Sequence, residues 1–197
     1  MDRARQVYYN ARGVTLPVLI TELNMNHEWE RGTDPRLQQV IATVWTSLVI
    51  RTSVLKGIEH ILYATFGSWK SEAELSSTGG YGFGMVNLDD NQPWYPYYLL
   101  KMIGTSLNVG DQLIQVTSSS DDLRTLAWKH DGKVSLLLIF KSKSLKTVSV
   151  TGLLGQIYLQ KIDETIPYTN PSIQTDQINA QDVMTFNGYT IVLLSES

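Results

Sequence analysis

Hydrophobic and polar residues follow two patterns along this chain, and the change between them falls near residue 110. In the first part, continuous apolar runs at residues 18–21 and 61–66 are typical of parallel strands that are buried on both faces. Between them, Asp34 and Pro35 provide an N-cap and a first-turn proline for a long helix. The helix is predicted to bury a single apolar stripe, made of Leu37, Val40, Ile41, Val44, Trp45, Leu48 and Val49. Strand, helix and strand in this order predict a parallel βαβ unit.

Two more helices and a long loop are predicted in the first part. Residues 2–11 favour a short helix that Gly13 can end. Residues 94–107 favour another, with Tyr98, Leu99, Met102 and Ile103 on its buried face. The segment 67–93 is polar and rich in glycine, and a loop of that length inside a compact domain usually has a function.

From residue 112 onward, apolar residues recur at every second position, which indicates antiparallel strands. The predicted strands cover residues 112–117, 123–130, 133–140, 145–150, 156–162, 181–186 and 189–195. Turn residues at Asp131–Gly132 and at Asn187–Gly188 predict two-residue hairpins. In strand 133–140 the residues on both faces are apolar, so we expect this strand to be central and covered on both sides. The expected fold class is α/β plus all-β, with an antiparallel β-sandwich in residues 111–197.

Composition excludes several classes of function. The formal net charge of −3 gives no long-range attraction for nucleic acid or an anionic membrane. The absence of cysteine excludes disulfides and thiolate ligands, and His27, His60 and His130 lack the spacing of metal ligands, so no metal or cofactor is expected. No apolar run is long enough to cross a membrane, and no export signal is visible. The compartment stays open: cytoplasmic, or secreted as part of a longer chain.

One carboxylate stands out because of its position. The first apolar run ends in Thr21-Glu22-Leu23-Asn24, and parallel α/β folds place their functional groups at the C-terminal ends of strands. A carboxylate next to a buried strand costs free energy unless a specific interaction stabilises it. Glu22 is therefore either a functional acid or half of a structural ion pair with a nearby arginine.

Several segments, taken in order, resemble parts of one enzyme group. Residues 18–24, VLITELN, are similar to a strand that ends in a nucleophilic glutamate, and residues 62–69, LYATFGSW, are similar to the strand that follows it. Residues 79–87, GGYGFGMVN, and 93–98, PWYPYY, continue the series. Together they resemble the seventh and eighth barrel strands of clan A retaining glycoside hydrolases, family 39 in particular. Ala64 stands where the eighth strand often has tryptophan.

The resemblance implies a fold, a reaction and a set of site residues. The fold is a partial (β/α)8 barrel in residues 1–110, its last two βα units, followed by the β-sandwich. The reaction is the hydrolysis of β-linked sugars by double displacement, with Glu22 as the nucleophile. The candidate substrate-binding residues are Asn24, Trp29, Phe66, Trp69, Tyr81 and Phe83.

The same resemblance implies that part of the catalytic machinery is missing. In this clan the acid/base glutamate usually follows an asparagine after the fourth strand, and the sequence contains no Asn-Glu pair. A complete barrel needs about 250 residues. We therefore expect the chain to be inactive alone, and to associate with an N-terminal barrel-half partner chain or with copies of itself.

Two other interpretations stay open. The chain could be a non-catalytic carbohydrate-binding or assembly module, in which case sugar binding would survive Glu22→Ala. It could also be a generic interaction domain, which requires the barrel-like motifs to be coincidental. If the strands around the long helix are antiparallel, or if Glu22 points into solvent, the glycosidase interpretation fails.

Overall fold

The computed structural model of the protein describes residues 2–15, 17–25, 36, 39–68, 84–167 and 170–197. These residues form three helices: α1 (Asp2–Arg12), α2 (Val40–Leu55) and α3 (Tyr95–Gly104). They also form twelve strands: β1 (Leu19–Leu23), β2 (His60–Tyr63), β3 (Gly67–Ser68), β4 (Val86–Asn87), β5 (Gln112–Ile114), β6 (Leu123–His130), β7 (Lys133–Phe140), β8 (Lys146–Val148), β9 (Gln156–Asp163), β10 (Gln174–Asn179), β11 (Met184–Phe186) and β12 (Thr190–Glu196).

A six-stranded antiparallel sheet dominates the structure. Its strand order is β10-β9-β12-β7-β6-β5, and three two-stranded sheets pair β1 with β2, β3 with β4, and β8 with β11. Helices α2 and α3 pack against one face of the large sheet, and the β8–β11 pair packs against the other. The described residues therefore form a mostly-sheet fold, in which the large sheet is covered on both faces.

The β1–α2–β2 unit is parallel, as the sequence predicts, with Ile20 opposite Ile61. The prediction that both strands are buried on both faces is wrong, because Leu19 is 52% exposed and Leu62 is 56% exposed. Among the described residues, only the α2 side of this two-stranded sheet is covered. The strand bounds also differ: β1 continues to Leu23, and the predicted strand 61–66 ends at Tyr63.

Helix α2 does not have the single apolar stripe that its sequence predicts. It lies between the β1–β2 sheet and the large sheet, so more than one of its faces is covered. Its buried residues are Val40, Ala42, Thr43, Val44, Thr46, Ser47, Ile50 and Ser53, whereas Trp45 and Leu48 are only partly buried. Small side chains allow this close approach, and the hydroxyls of Thr46 and Ser47 bond to the carbonyls four residues earlier. The predicted N-cap and Leu37 lie outside the described residues, and α2 begins after Gln39.

Helices α1 and α3 lie close to the positions that the sequence predicts. Gly13 ends α1 at a positive φ of 71°, and its N–H donates to the Tyr9 carbonyl at 2.7 Å. The Arg5 guanidinium donates to the carbonyls of Lys56 and Gly57 at 2.7 and 2.8 Å, so α1 caps the C-terminal end of α2. Helix α3 is shorter than predicted, and it buries Tyr95, Pro96, Leu99, Met102 and Ile103, while Tyr98 is only partly buried.

Strand β7 is central, and both of its faces are covered, as predicted. Leu137 and Ile139 join the core under the helices, and Leu136, Leu138 and Phe140 join the core under the β8–β11 pair. The hairpin between β6 and β7 is also confirmed, because Asp131 and Gly132 have positive φ angles of 46° and 87°. Two adjacent residues with positive φ give the turn type that matches the twist of a hairpin.

Two predictions about the second part of the chain are wrong. Asn187–Gly188 does not close a hairpin, because β11 pairs with β8 while β12 runs between β7 and β9 in the large sheet. Strand β10 was not predicted, because five of its six residues are polar and nearly all are exposed at the sheet edge. Among the described residues, no helix is long and apolar enough to span a bilayer.

Candidate functional site

A β-bulge sets the direction of Glu22. Ile20 lies opposite Ile61 and Leu23 lies opposite Tyr63, so Thr21 and Glu22 together oppose the single residue Leu62. In a regular strand Glu22 would share the face of Ile20, because side chains alternate with a period of two. The extra residue moves Glu22 to the opposite face and returns Leu23 to the α2 side, where it is 8% exposed. Glu22 therefore stands on the open face of the sheet, close to the C-terminal end of β1.

The environment of Glu22 differs from the expectation in one respect. The sequence predicted a carboxylate beside a buried strand, but Glu22 is exposed to solvent. The physical reason is the uncovered face described above, on which Glu22 and Leu62 both lie. The alternative of a structural ion pair is not observed, because no described residue forms one with Glu22. The glycosidase interpretation required parallel strands around α2 and a Glu22 that is shielded from solvent. The parallel pairing is observed, but within the described residues Glu22 is not shielded.

The ends of β1 and β2 are joined by the side chain of Asn24. The Asn24 Nδ2 donates to the carbonyl of Ala64 at 2.6 Å, and the Met25 N–H donates to Asn24 Oδ1 at 2.7 Å. The Ala64 N–H donates to the Leu23 carbonyl at 3.0 Å. The next peptide bond, between Ala64 and Thr65, is cis. Asn24 therefore lies at the edge where the sequence predicted it, with backbone groups at both ends of its amide.

A cavity of about 290 Å³ lies between the β1–β2 sheet and α2. Leu23, Ile61 and Tyr63 line it from the strands, and Thr46 and Ile50 line it from α2. Burial raises the pKa of Tyr63 well above its usual range, so the phenol stays neutral at physiological pH. The sequence analysis did not identify Tyr63, although its two-residue spacing from Ile61 is a signal that both face the same side.

Phe66 is the other predicted substrate-binding residue that the structure describes. It follows β2 at the same edge of the sheet and is 64% exposed. Its carbonyl accepts hydrogen bonds from Met85 and Val86 at 2.9 and 3.0 Å, which ties this segment to β4. Trp29, Trp69, Tyr81 and Phe83 lie outside the described residues. Glu22, Asn24 and Phe66 therefore occupy the C-terminal edge of one parallel pair, while His60 starts β2 at the other end.

A larger cavity, of about 450 Å³, lies between β6, β7 and the segment that begins with β8. Its only carboxylate is Asp122, which forms a 2.8 Å ion pair with Lys146. Its only aromatic residue is Phe140, which packs against Phe186 with 5.0 Å between ring centroids. This cavity therefore lacks both the free acid and the exposed ring that a sugar-hydrolysing site needs. Across the described residues, no group of three or more metal-binding side chains converges on one point.

No protein-family model matches the sequence, and no curated protein matches it. Solved structures do share its fold, and several of them are glycoside hydrolases. The catalytic domain of GH30 xylanase C from Talaromyces cellulolyticus aligns with a TM-score of 0.66 and 16% identity, over 93% of this chain and 41% of that one. The GH51 α-L-arabinofuranosidase from Thermotoga petrophila RKU-1 aligns with a TM-score of 0.61 and 13% identity, over 95% of this chain and 44% of that one.

A third neighbour was solved with a sugar ligand. BuGH86 in complex with neoagarooctaose aligns with a TM-score of 0.65 and 13% identity, over 99% of this chain and 34% of that one. The chain thus spans less than half the length of each of these three proteins. At such low identities the comparison shows a shared fold.

Proposed function

We propose that the chain is the C-terminal part of a retaining glycoside hydrolase that acts on β-linked sugars, with Glu22 as the nucleophile. Residues 1–110 supply the last two βα units of a (β/α)8 barrel, and residues 111–197 supply a β-sandwich. The observation that carries the proposal is the bulge, which turns Glu22 onto the open face at the C-terminal end of a parallel β1–α2–β2 unit. Support for the enzyme class comes from the glycoside hydrolases that share the fold.

The proposed reaction has two displacements. A Glu22 carboxylate oxygen attacks the anomeric carbon, the glycosidic C–O bond breaks, and the leaving oxygen takes a proton from an acid; water then releases the sugar from Glu22. The acid must lie about 5–5.5 Å from the nucleophile in a retaining enzyme. We assign no residue of this chain to that role. The open face on which Glu22 stands is the side on which further barrel strands would enclose it and shield it from solvent.

The test uses a reagent that needs no acid catalyst. In a 2,4-dinitrophenyl 2-deoxy-2-fluoro-β-xyloside the phenolate leaves as an anion, so a nucleophile alone can form the glycosyl-enzyme. The chain, mixed with the polypeptide encoded directly upstream of it, should gain one fluoroxylosyl group on the peptide that contains Glu22. Glu22→Gln should lower the labelling rate on the order of 10³-fold or more, because an amide is a poor nucleophile. Peptide mass spectrometry measures both the site and the rate.

A matched control is the same substitution at the other end of the sheet. Glu59 is exposed and immediately precedes β2, so Glu59→Gln should label at the rate of the unchanged protein. Equal labelling of Glu22→Gln and the unchanged protein, or a label on another residue, would overturn the nucleophile assignment. Sugar binding that survives Glu22→Gln, with no labelling of any variant, would instead identify a non-catalytic carbohydrate-binding module.

We propose further that the open face receives a partner, which is an N-terminal barrel-half chain or another copy of this chain. Leu19, Leu62 and Phe66 are each more than half exposed at this sheet, and burying them in an interface would be favourable. The isolated chain should therefore self-associate at high concentration, and Leu62→Lys should weaken that association at least tenfold, since a buried lysine would lose its hydration. Sedimentation velocity over a concentration series measures the effect.

Leu145→Lys is the control for this association. Leu145 is 65% exposed just before β8, outside the β1–β2 sheet. Its replacement should leave the sedimentation profile unchanged. A chain that stays monomeric at every concentration and does not bind the upstream polypeptide would contradict the proposed partner.

A further inference from the structure

The two parallel strands of the candidate site part in an unusual way. In a parallel ladder, hydrogen bonds alternate between the strands at even intervals. Leu23 lies opposite Tyr63, and the Ala64 N–H donates to the Leu23 carbonyl at 3.0 Å, as this ladder requires. The next bond of a regular ladder would run from the Met25 N–H to the Ala64 carbonyl. In this protein, two hydrogen bonds of the Asn24 side chain take the place of that bond.

The side-chain amide of Asn24 stands between the two backbone groups. Its Nδ2 donates to the Ala64 carbonyl at 2.6 Å, and its Oδ1 accepts the Met25 N–H at 2.7 Å. Both groups of the interrupted ladder are therefore satisfied, although the strands have separated by the width of one amide. The chain can leave the sheet directly after β1 without leaving a partly buried donor or acceptor unpaired.

We infer that Asn24 is a positioning residue, whose amide fixes the separation of the ends of β1 and β2 and thereby holds Glu22 in its direction. The inference rests on the proposed function of Glu22. It gives Asn24 a role different from the direct sugar contact that the sequence suggested. Only a short side chain with a donor and an acceptor on one planar group can make this bridge: aspartate lacks the donor, and alanine lacks both.

Glu22 is held on both sides by this arrangement. Before it, the Ile20–Ile61 pair fixes the start of the bulge, and after it the Asn24 bridge fixes the end. The two residues of the bulge have no regular ladder partners of their own, so the bridge is the next fixed point along β1. A displacement of about 1 Å at a reacting group can lower a reaction rate about 100-fold. The bridge therefore matters for the rate at which Glu22 attacks and has little bearing on how tightly a sugar binds.

The test is Asn24→Asp in the same mixture with the upstream polypeptide, because this change keeps the size of the side chain and replaces the donor with a carboxylate oxygen, which repels the Ala64 carbonyl. Amide hydrogen exchange at Ala64 should become about tenfold faster, because its carbonyl loses its partner and the strand end opens more often. The maximal rate of labelling by the 2,4-dinitrophenyl 2-deoxy-2-fluoro-β-xyloside should fall about 100-fold, and the half-saturating reagent concentration should change less than about threefold.

The control is Asn10→Asp. Asn10 lies on α1, is exposed, and uses only its Oδ1, which accepts from Gln6 at 2.8 Å, so aspartate preserves this bond. Unchanged exchange at Ala64 in Asn24→Asp overturns the bridge, and faster exchange with an unchanged labelling rate overturns the positioning role. If only the half-saturating reagent concentration rises, Asn24 contacts the sugar directly and does not position Glu22. If the unchanged protein and Glu22→Gln are equally unreactive, the proposed function fails, and the exchange result still decides whether the bridge exists.

Discussion

Replacement of Trp128 by alanine should lower the free energy of unfolding by about 3–5 kcal/mol. Trp128 is fully buried on β6, in the core between the large sheet and the helices α2 and α3. Its indole Nε1 also donates to the Ser106 carbonyl at 2.7 Å, just after α3. Alanine removes the ring, leaves a cavity that rigid neighbours cannot fill, and leaves a carbonyl without its donor. Equilibrium denaturation in urea, followed by circular dichroism, measures the loss.

Two variants separate the contributions at this position. Trp128→Phe keeps most of the apolar area and loses the hydrogen bond, so it should lower the free energy of unfolding by less than Trp128→Ala does. About 1 kcal/mol of its loss should come from the Ser106 carbonyl, which has lost its donor. Trp45→Ala removes the same side chain from a partly buried position on α2 and should cost less than Trp128→Ala. A loss below about 1.5 kcal/mol for Trp128→Ala would contradict the described packing.

The second large effect is expected at Asp163, at the end of β9. Its Oδ2 forms a 2.6 Å ion pair with Lys161 Nζ, its Oδ1 accepts the Thr165 N–H at 3.0 Å, and the residue is 4% exposed. Burial acts to raise the pKa of Asp163, but the hydrogen bonds from Lys161 and Thr165 outweigh it, so the pKa lies below the ordinary value of 3.8. Asp163→Asn should therefore cost about 2–3 kcal/mol at neutral pH, because it leaves the lysine without its carboxylate.

The pH dependence of this cost follows from the direction of the shift. A carboxylate with a lowered native pKa contributes stability that is fully present above its unfolded pKa and is lost as the pH falls through its native pKa. The difference between Asp163→Asn and the unchanged protein should thus be constant near neutrality and shrink below about pH 4. Urea denaturation at several pH values measures it, with the exposed Asp176→Asn on β10 as the control. A difference that is the same at pH 2.5 and pH 7 would count against the ion pair as its cause.

The accuracy of the sequence predictions depends on how local each determinant is. The β6–β7 hairpin was predicted because alternation and the Asp131–Gly132 turn act within a few residues. Asn187–Gly188 has the same local signal, yet the chain there passes from the β8–β11 pair into the large sheet, and no nearby residue specifies that choice. For α2, a single stripe was the wrong prediction because the helix has neighbours on two sides, which depends on how distant strands fold around it.

The candidate site shows the same limit. The sequence predicted Glu22 and Asn24 at a strand end, because an apolar run that stops at polar residues is a local signal. The bulge was not predicted, because it depends on how β1 pairs with β2, which lies about forty residues further along the chain. The exposure of Glu22 was also missed, because a strand's second face is covered or open according to elements elsewhere in the protein. Side-chain bridges such as that of Asn24 depend on a carbonyl forty residues away.

The position of α2 has a consequence for how the chain loses its structure. Arg51 on α2 donates to the Thr125 carbonyl on β6 at 2.7 Å, and Val44 and Trp128 belong to the same core. If α2 unfolded, apolar residues of both the β1–β2 sheet and the large sheet would become exposed to water. If the large sheet unfolded, α2 would lose the core against which it packs. The two sequence regions on either side of residue 110 are in this sense a single cooperative unit. The strand pair that carries Glu22 thus draws its rigidity from the large sheet, which lies on the far side of α2.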